Sequence, residues 1–219
     1  PGDGFLVMQT SVNEAMVSID ADDQHFTTIP VLDIYNAIGI GPGLGMEAET
    51  QAAFKLLIQQ TSVPLVIDAD ALNILGENKT WISFLPHGSI LTPHPKEFER
   101  IAGPTSNHFD RLEMLRLFAM RFKLFVILKG AYSAIADPEG NIYFNPTGNP
   151  GMASGGSGDV LTGIILGLLA SGYPARDACI LGTWLHGKAG DIAAQKLSQD
   201  AMLPGDIVKY IGKAYKKIN

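Results

Sequence analysis

The chain alternates short apolar runs with longer segments in which apolar residues recur at helical spacing. Glycine, proline or acidic residues bound most of the apolar runs, as they bound buried strands. These runs predict strands at 5–10, 15–19, 37–40, 64–68, 89–91 and 125–129. The amphipathic and apolar segments predict helices at 46–60, 109–121, 159–170, 174–196 and 204–217, with a further helix starting at Pro95.

Because strands and helices alternate through the middle of the chain, we expect a mostly parallel sheet covered by helices. The stretch after residue 129 differs, since S-A-I-A and I-Y-F-N flank the turn sequence D-P-E-G-N. Two short apolar segments around such a turn predict a β-hairpin. The sequence therefore predicts an α/β domain with an antiparallel hairpin appended to its sheet.

Length and composition narrow the class of protein. The 219 residues allow one α/β domain with a full core, and 46% hydrophobic and 17% charged residues are typical of a globular chain. A formal net charge of -6 argues against nucleic acid as the main partner, because no basic stripe is available for its phosphates. The longest apolar run, 160–170, is too short to cross a bilayer, so we expect no membrane partner.

The only cysteine, Cys179, excludes an internal disulfide framework and a cysteine zinc site in this sequence. Such sparing use of cysteine suits a reducing compartment, and no signal peptide is visible. We therefore expect a cytoplasmic protein. The sequence begins with Pro1 rather than methionine, and we expect a fragment or a processed form.

The stretch from residue 149 to 170 carries the clearest chemical signal. It reads N-P-G-M-A-S-G-G-S-G-D-V-L-T-G-I-I-L-G-L-L-A, so a glycine-rich loop leads directly into an apolar helix. Gly155, Gly156 and Gly158 let the backbone approach a ligand closely, and the first turn of a helix has unpaired N–H groups. Together with the helix dipole, this junction favours an anion, for which phosphate is the natural candidate.

Asp159 follows this loop directly. A carboxylate repels phosphate and would be a poor choice if binding were the only task. A carboxylate that accepts a proton from an attacking hydroxyl would be the general base of a phosphoryl transfer. The alternative is that Asp159 only complements the helix dipole at an ordinary turn. The residues alone favour neither interpretation over the other.

A second glycine-rich loop, G-I-G-P-G-L-G, ends at Gly45 and precedes the predicted helix 46–60. It is not a Walker A loop, because no Lys and Ser or Thr follow its last glycine. Its glycine spacing and Pro42 also depart from the dinucleotide-binding fingerprint. The loop is either a tight turn of the sheet or a wall for a phosphate-bearing ligand.

Polar residues follow several of the predicted strands. Asp68 and Lys129 each end a strand, and His94 and Glu97 follow another. The carboxyl ends of parallel strands meet at one edge of the sheet, where open α/β sheets bind ligands. We expect Asp68 to contact magnesium or a substrate hydroxyl, and His94, fixed between two prolines, to contact a ligand. Lys129 would meet a nucleotide phosphate or be a solvated lysine at the edge.

Five motifs, in order, resemble one family. They are N-A-I-G-I-G-P-G-L-G, L-V-I-D-A-D-A-L-N-I-L, I-L-T-P-H-P-K-E-F, V-I-L-K-G-A-Y-S and N-P-G-M-A-S-G-G-S-G-D-V-L-T-G. In them the chain resembles the ADP- or ATP-dependent NAD(P)H-hydrate dehydratases, the carboxyl-terminal domain of the YjeF type in the ribokinase-like superfamily. The resemblance implies a ribokinase-like three-layer α/β/α fold, with residues 1–219 as a single catalytic domain.

The resemblance also implies an activity. Family members repair NADH or NADPH whose reduced ring has taken up water: ADP or ATP, with Mg²⁺, phosphorylates the ring hydroxyl, and phosphate then leaves with help from the ring nitrogen. The implied partners are hydrated NADH or NADPH and the nucleotide. The alternatives are a ribokinase-like kinase of small vitamin precursors and a non-catalytic nucleotide-binding domain. His94 stands where such kinases have an asparagine, which favours the dehydratase.

The family's site residues match positions of this chain. Asp159 would be the base that activates the hydroxyl of the hydrate, with N–H groups of residues 155–158 stabilising the transferred phosphoryl group. Gly45 and His94 match contacts to the hydrated dinucleotide, and Glu97 matches a glutamate that organises magnesium through water. The implied contacts to ADP or ATP come from Gly158, Lys129, Gly130, Ala131, Tyr132 and Ser133.

The resemblance carries three further expectations. Members usually have an earlier strand and helix with a substrate-binding segment, and we expect this chain to lack both elements. Many relatives are fused to an epimerase domain, which the full-length protein would then also contain. Members often form tetramers, so we expect a homo-oligomer.

Overall fold

A computed structural model describes residues 2–218 as strands and helices around one six-stranded sheet. The strands lie in the order in which they occur in the chain. They are β1 (Ile38–Ile40), β2 (Leu65–Ile67), β3 (Ile90–Leu91), β4 (Phe125–Leu128), β5 (Ala134–Ala136) and β6 (Ile142–Phe144). Strands β1 to β4 pair in parallel, and β4, β5 and β6 pair antiparallel. The predicted parallel sheet with an appended hairpin is therefore confirmed.

The described part of the chain forms eight α-helices. They are α1 (Phe5–Ser11), α2 (Ala48–Gln60), α3 (Ala69–Glu77), α4 (Pro95–Ala102), α5 (His108–Phe122), α6 (Ser157–Ala170), α7 (Ala175–Leu197) and α8 (Pro204–Tyr215). Of these, α2 to α8 pack on the sheet. Between residues 2 and 218, no helix combines the length and the apolar character that a bilayer crossing requires.

Two apolar cores lie on the two faces of the sheet. Successive strand residues point to opposite faces, so Leu65 and Ile67 pack with α2 to α5, whereas Val66 packs with α6 to α8. The helices contribute to these cores through, among others, Phe54, Leu72, Phe98 and Leu115 on one face and Ile165, Leu185 and Ile207 on the other. Burial on both faces explains why the strands are continuous apolar runs, and it confirms the three-layer α/β/α architecture.

The strand predicted at residues 5–10 is wrong. These residues form α1, which has no buried residue, and residues 15–19 form no regular element. Strand β1 is the edge of the sheet and pairs with β2 only. A segment without a neighbouring strand can pair its backbone groups locally only by forming a helix. The remaining predicted elements of regular structure lie within two residues of observed ones.

Candidate active site

The carboxyl ends of β2 and β4 bring a buried ion pair together. Asp68, directly after β2, is 1% exposed, and Nζ of Lys129, directly after β4, lies 2.7 Å from its Oδ1. The Thr162 hydroxyl of α6 donates a hydrogen bond to Asp68 Oδ2 over 3.0 Å. Since the Lys129 side chain is only 23% exposed and is paired, the solvated-lysine alternative is excluded. Asp68 therefore connects the sheet to α6 and fixes a cation at the sheet edge.

His94 and Glu97 cap the start of α4 next to this pair. His94 Nδ1 accepts hydrogen bonds from the backbone N–H groups of Lys96 and Glu97, and Glu97 Oε2 accepts one from the His94 N–H over 2.7 Å. Pro95, at the first helical position, favours this geometry. Because Nδ1 is an acceptor, the neutral ring carries its proton on Nε2. This nitrogen lies 3.5 Å from Glu97 Oε1, and the His94 side chain is 46% exposed at the sheet edge.

The charges of this cluster favour a cation. Glu97 Oε2 lies 3.9 Å from Lys129 Nζ, so two buried carboxylates, those of Asp68 and Glu97, share one lysine. A buried carboxylate without full compensation is costly. No three His, Cys, Asp or Glu side chains form a metal cage within residues 2–218. Mg²⁺ is usually held by one or two carboxylates, water and substrate phosphates, and the residues present fit that mode.

Helix α6 begins against the ion pair. Its cap residue Gly156 has a φ of 92°, which glycine adopts freely. A Cβ atom at Gly158 would lie 3.2 Å from Lys129 Nζ and 3.4 Å from Asp68 Oδ2, so a side chain there would crowd the pair. Gly155 faces open space, and the Asp159 side chain is exposed. The structure thus brings residues 155–159, Asp68 and Lys129 together.

The loop that ends at Gly45 packs against the end of β2. Gly41 has a φ of 132°, and a Cβ atom there would overlap the carbonyl oxygen of Asp68. The N–H of Gly45, with a φ of 83°, donates a hydrogen bond to Asp70 Oδ2 over 3.0 Å. These glycines therefore form a tight turn, and the turn places Gly45 at the same sheet edge as Asp68.

The segment from Lys129 to Ser133 connects β4 to the hairpin. The Ser133 hydroxyl lies 3.3 Å from both the N–H and the carbonyl oxygen of Gly130, which closes a small turn. Ala131 is exposed, and 71% of Tyr132 is exposed. This segment is therefore an open surface beside the ion pair.

Three further polar residues contact this region and were not foreseen from the sequence. Thr162 donates to Asp68, His186 Nε2 lies 3.3 Å from Ser157 Oγ, and Asp191 accepts hydrogen bonds from the loop before α6. Burial lowers the pKa of His186 to about 4; a hydrogen bond with the Ser157 backbone opposes this shift, and the Lys129 cation adds to it. For His186 and Asp191 a signal existed, because T-W-L-H-G-K-A-G-D places polar residues and glycines together inside a helix.

Known proteins resemble the chain over most of its length. The family described as NAD(P)H-hydrate dehydratase matches residues 3–213. A bifunctional NAD(P)H-hydrate repair enzyme of Moorella thermoacetica is 44% identical over 220 residues, which are 95% of this chain and 41% of that protein. The chain thus spans about two fifths of the length of this relative.

Solved structures share the fold. An ADP/ATP-dependent NAD(P)H-hydrate dehydratase from Bacillus subtilis, co-crystallised with ATP and Mg²⁺, superposes with a TM-score of 0.83 at 28% identity, covering 100% of this chain and 77% of that one. A ribokinase-like superfamily protein of Enterococcus faecalis gives a TM-score of 0.71 at 29% identity over 83% of this chain and 63% of its own. With a ribokinase-like fold and a family match from residue 3 to 213, the chain belongs to the NAD(P)H-hydrate dehydratase family.

Proposed function

We propose that this chain restores hydrated NADH or NADPH by nucleotide-dependent dehydration, the activity for which its family is named. The observation that carries the proposal is the start of α6. There Gly158 lies against the Asp68–Lys129 pair, and the next residue, Asp159, is exposed. This arrangement combines an anion-binding helix start with a carboxylate that is free to accept a proton.

In the first proposed step, the ring hydroxyl attacks the terminal phosphorus of ADP or ATP. Asp159 takes the hydroxyl proton while the bond from that phosphorus to its bridging oxygen breaks, releasing AMP or ADP. The N–H groups of Gly155, Gly156 and Gly158 stabilise the charge on the transferred group. A bound Mg²⁺ supplies further neutralisation of the phosphates, and Glu97 would hold it through water.

In the second proposed step, phosphate leaves with the electrons of its bond to the ring carbon. The lone pair of the ring nitrogen supports the developing positive charge, and loss of a proton from the neighbouring ring carbon restores the double bond. The net reaction removes water from the ring and converts ADP or ATP into its hydrolysis products. The nucleotide therefore drives a dehydration, although the first step is that of a kinase.

The proposed binding roles follow the placement of the residues. Gly45 and His94 would contact the hydrated dinucleotide, Gly45 through its Cα or carbonyl oxygen because its N–H donates to Asp70. The nucleotide would lie along residues 129–133 and against Gly158. Because the Asp68 carboxylate is enclosed, we propose that it serves the substrates chiefly by holding Lys129 in place.

The kinase alternative has less support, because the family match is to dehydratases. We also propose that the chain forms a homo-oligomer, such as a tetramer, and that it is located in the cytoplasm. Sedimentation velocity of the purified chain tests the first. The relative of Moorella thermoacetica is named bifunctional, which supports the expectation of a fused epimerase domain.

The test is recovery of the absorbance band of the reduced nicotinamide. The chain is incubated with hydrated NADH or NADPH, Mg²⁺ and either ADP or ATP, and phosphate release is followed in parallel. We expect recovery that requires a nucleotide, with one phosphate released for each ring restored, and the better nucleotide identifies the donor. A phosphorylated product that accumulates without recovery would favour the kinase, and no reaction with either nucleotide would contradict the proposal.

A further inference from the structure

Helix α7 contacts both ends of the glycine-rich loop that precedes α6. At the start of the loop, Asp191 Oδ2 accepts a hydrogen bond from the Gly148 N–H over 3.2 Å, and Oδ1 accepts one from Asn149 Nδ2 over 3.0 Å. At the end of the loop, His186 Nε2 lies 3.3 Å from Ser157 Oγ. One helix therefore holds the loop at two points.

Close packing against Thr147 and the Met152 side chain adds to these two hydrogen-bonded contacts of α7. A Cβ atom at Gly187 would overlap the Thr147 hydroxyl, and one at Gly190 would overlap the sulfur of Met152. Each glycine inside a helix costs about 0.5–1 kcal/mol relative to alanine. Two such glycines, one facing Thr147 and one facing Met152, indicate that the close approach of this segment to α7 outweighs the cost.

The two polar anchors have the chemistry that this contact requires. A carboxylate accepts hydrogen bonds from a backbone N–H and an amide at the same time, so Asp191 satisfies both Gly148 and Asn149. His186 is neutral near pH 7, because burial lowers its pKa to about 4. A neutral ring bonds to the Ser157 hydroxyl, which is itself buried, without adding a second cation beside Lys129.

We propose that Asp191 and His186 are positioning residues that hold the glycine-rich loop, residues 148–157, in its anion-binding conformation before any ligand is bound. The catalytic consequence rests on the proposed function, whereas the order of the loop does not. N–H groups that are already in place stabilise developing charge without a cost of reorganisation. Releasing either anchor should therefore lower kcat more than it raises the KM for the nucleotide.

Hydrogen–deuterium exchange of the ligand-free protein tests the order of the loop. In Asp191→Asn and in His186→Leu, we expect the amides of residues 148–157 to exchange at least about tenfold faster, while β2 and β4 stay protected. His186→Gln, which keeps a hydrogen-bonding group, should restore most of the protection. Asp177→Asn, an exposed carboxylate on the same helix, is the control and should leave loop exchange unchanged.

Unchanged loop exchange in both Asp191→Asn and His186→Leu would overturn the proposal. If a variant exchanges faster throughout the sheet, it has lost global stability, and Asn149→Ala then decides. That variant removes one of the two hydrogen bonds to Asp191 from the side of the loop, together with the bond from the Gly151 N–H to Asn149 Oδ1, and leaves α7 intact. It should raise exchange in the loop alone. Loop protection equal to that of the unaltered chain would again overturn the proposal.

Steady-state turnover of hydrated NADH tests the catalytic consequence. We expect kcat to fall about tenfold to a hundredfold in Asp191→Asn, with a smaller change in the KM for the nucleotide and recovery of kcat in His186→Gln relative to His186→Leu. A rise in KM at constant kcat would contradict the positioning role. If the unaltered chain does not restore the ring, the proposed function fails, and the exchange experiment still decides whether the loop is held by α7.

Discussion

The two glycine-rich loops of this chain are alike in composition, but they differ in which backbone N–H groups remain available to a ligand. In the loop that ends at Gly45, the N–H of that glycine donates to Asp70, and Gly41 packs on the Asp68 carbonyl. At the start of α6, directly after the second loop, none of the described residues accepts a hydrogen bond from the N–H of Gly158 or Asp159. An anion can therefore use these two N–H groups but not that of Gly45.

The difference lies in where each loop is anchored. Asp70 binds the last glycine of the first loop, so the anchor occupies the group that a ligand would need. Asp191 binds the second loop at Gly148 and Asn149, well before the helix start. Glycine content alone thus does not indicate an anion site, because the position of the partner carboxylate decides which N–H groups remain free.

The largest effect is expected at Asp159, at the start of α6. In Asp159→Asn, kcat should fall about 10²- to 10⁴-fold, because an amide cannot take the hydroxyl proton, while the affinity for the nucleotide changes little. Turnover kinetics and calorimetric titration with ADP or ATP check the two parts. The control is Asp200→Asn, which makes the same replacement of a carboxylate by an amide in an exposed loop. Turnover in Asp159→Asn equal to that of the control would remove Asp159 from the mechanism.

Substitutions in the loop that ends at Gly45 should lower the free energy of unfolding. Gly41→Ala forces a side chain onto the Asp68 carbonyl at a φ of 132°, and we expect a loss of about 3 kcal/mol in the free energy of unfolding. Gly43→Ala is the matched control, because Gly43 also has a positive φ, 63°, but faces open space, so it should lose only about 1 kcal/mol. Denaturant unfolding measures both, and equal losses would show that the first loop is not tightly packed.

A smaller effect is expected where the second loop meets the ion pair. Gly158→Ala places a methyl group 3.2 Å from Lys129 Nζ, which should displace the pair and lower kcat about tenfold with little change in stability. Gly163→Ala, on the same helix and facing open space, should keep its turnover and gain about 0.5–1 kcal/mol of stability. Full turnover in Gly158→Ala would mean that the helix start does not need its close approach to Lys129.

Residues at strand ends could be placed from the sequence. Asp68, His94, Glu97 and Lys129 each follow an apolar run that predicts a strand, and parallel strands end at one edge of the sheet. The fold alone therefore brings them near each other. The hydrogen bonds of His94 and Glu97 across the start of α4 are likewise a local pattern, with Pro95 between them.

Contacts between distant segments could not be placed in this way. Thr162 and Asp68 are 94 positions apart, and a threonine inside an apolar helix shows no local sign of its partner. The bond between His186 and Ser157 depends on how α7 packs on the loop, which the spacing along either segment does not determine. The strand prediction for residues 5–10 was wrong for a related reason, because their apolar pattern fits a strand only if another strand lies beside them.

The smallest effect concerns the residue that follows Asp68. Ala69 follows Asp68 with a φ of 47°, a left-handed conformation that costs a non-glycine residue about 1 kcal/mol. Its neighbour Asp68 contacts Gly41 of the first loop through its carbonyl and Thr162 of α6 through its carboxylate. In Ala69→Gly we expect a gain of about 0.5–1 kcal/mol in the free energy of unfolding, measured with denaturant, and unchanged turnover. A loss of stability would mean that the Ala69 methyl group contributes more by packing than the backbone loses by strain, and a fall in kcat would mean that the strained turn itself holds the Asp68 carboxylate toward Lys129.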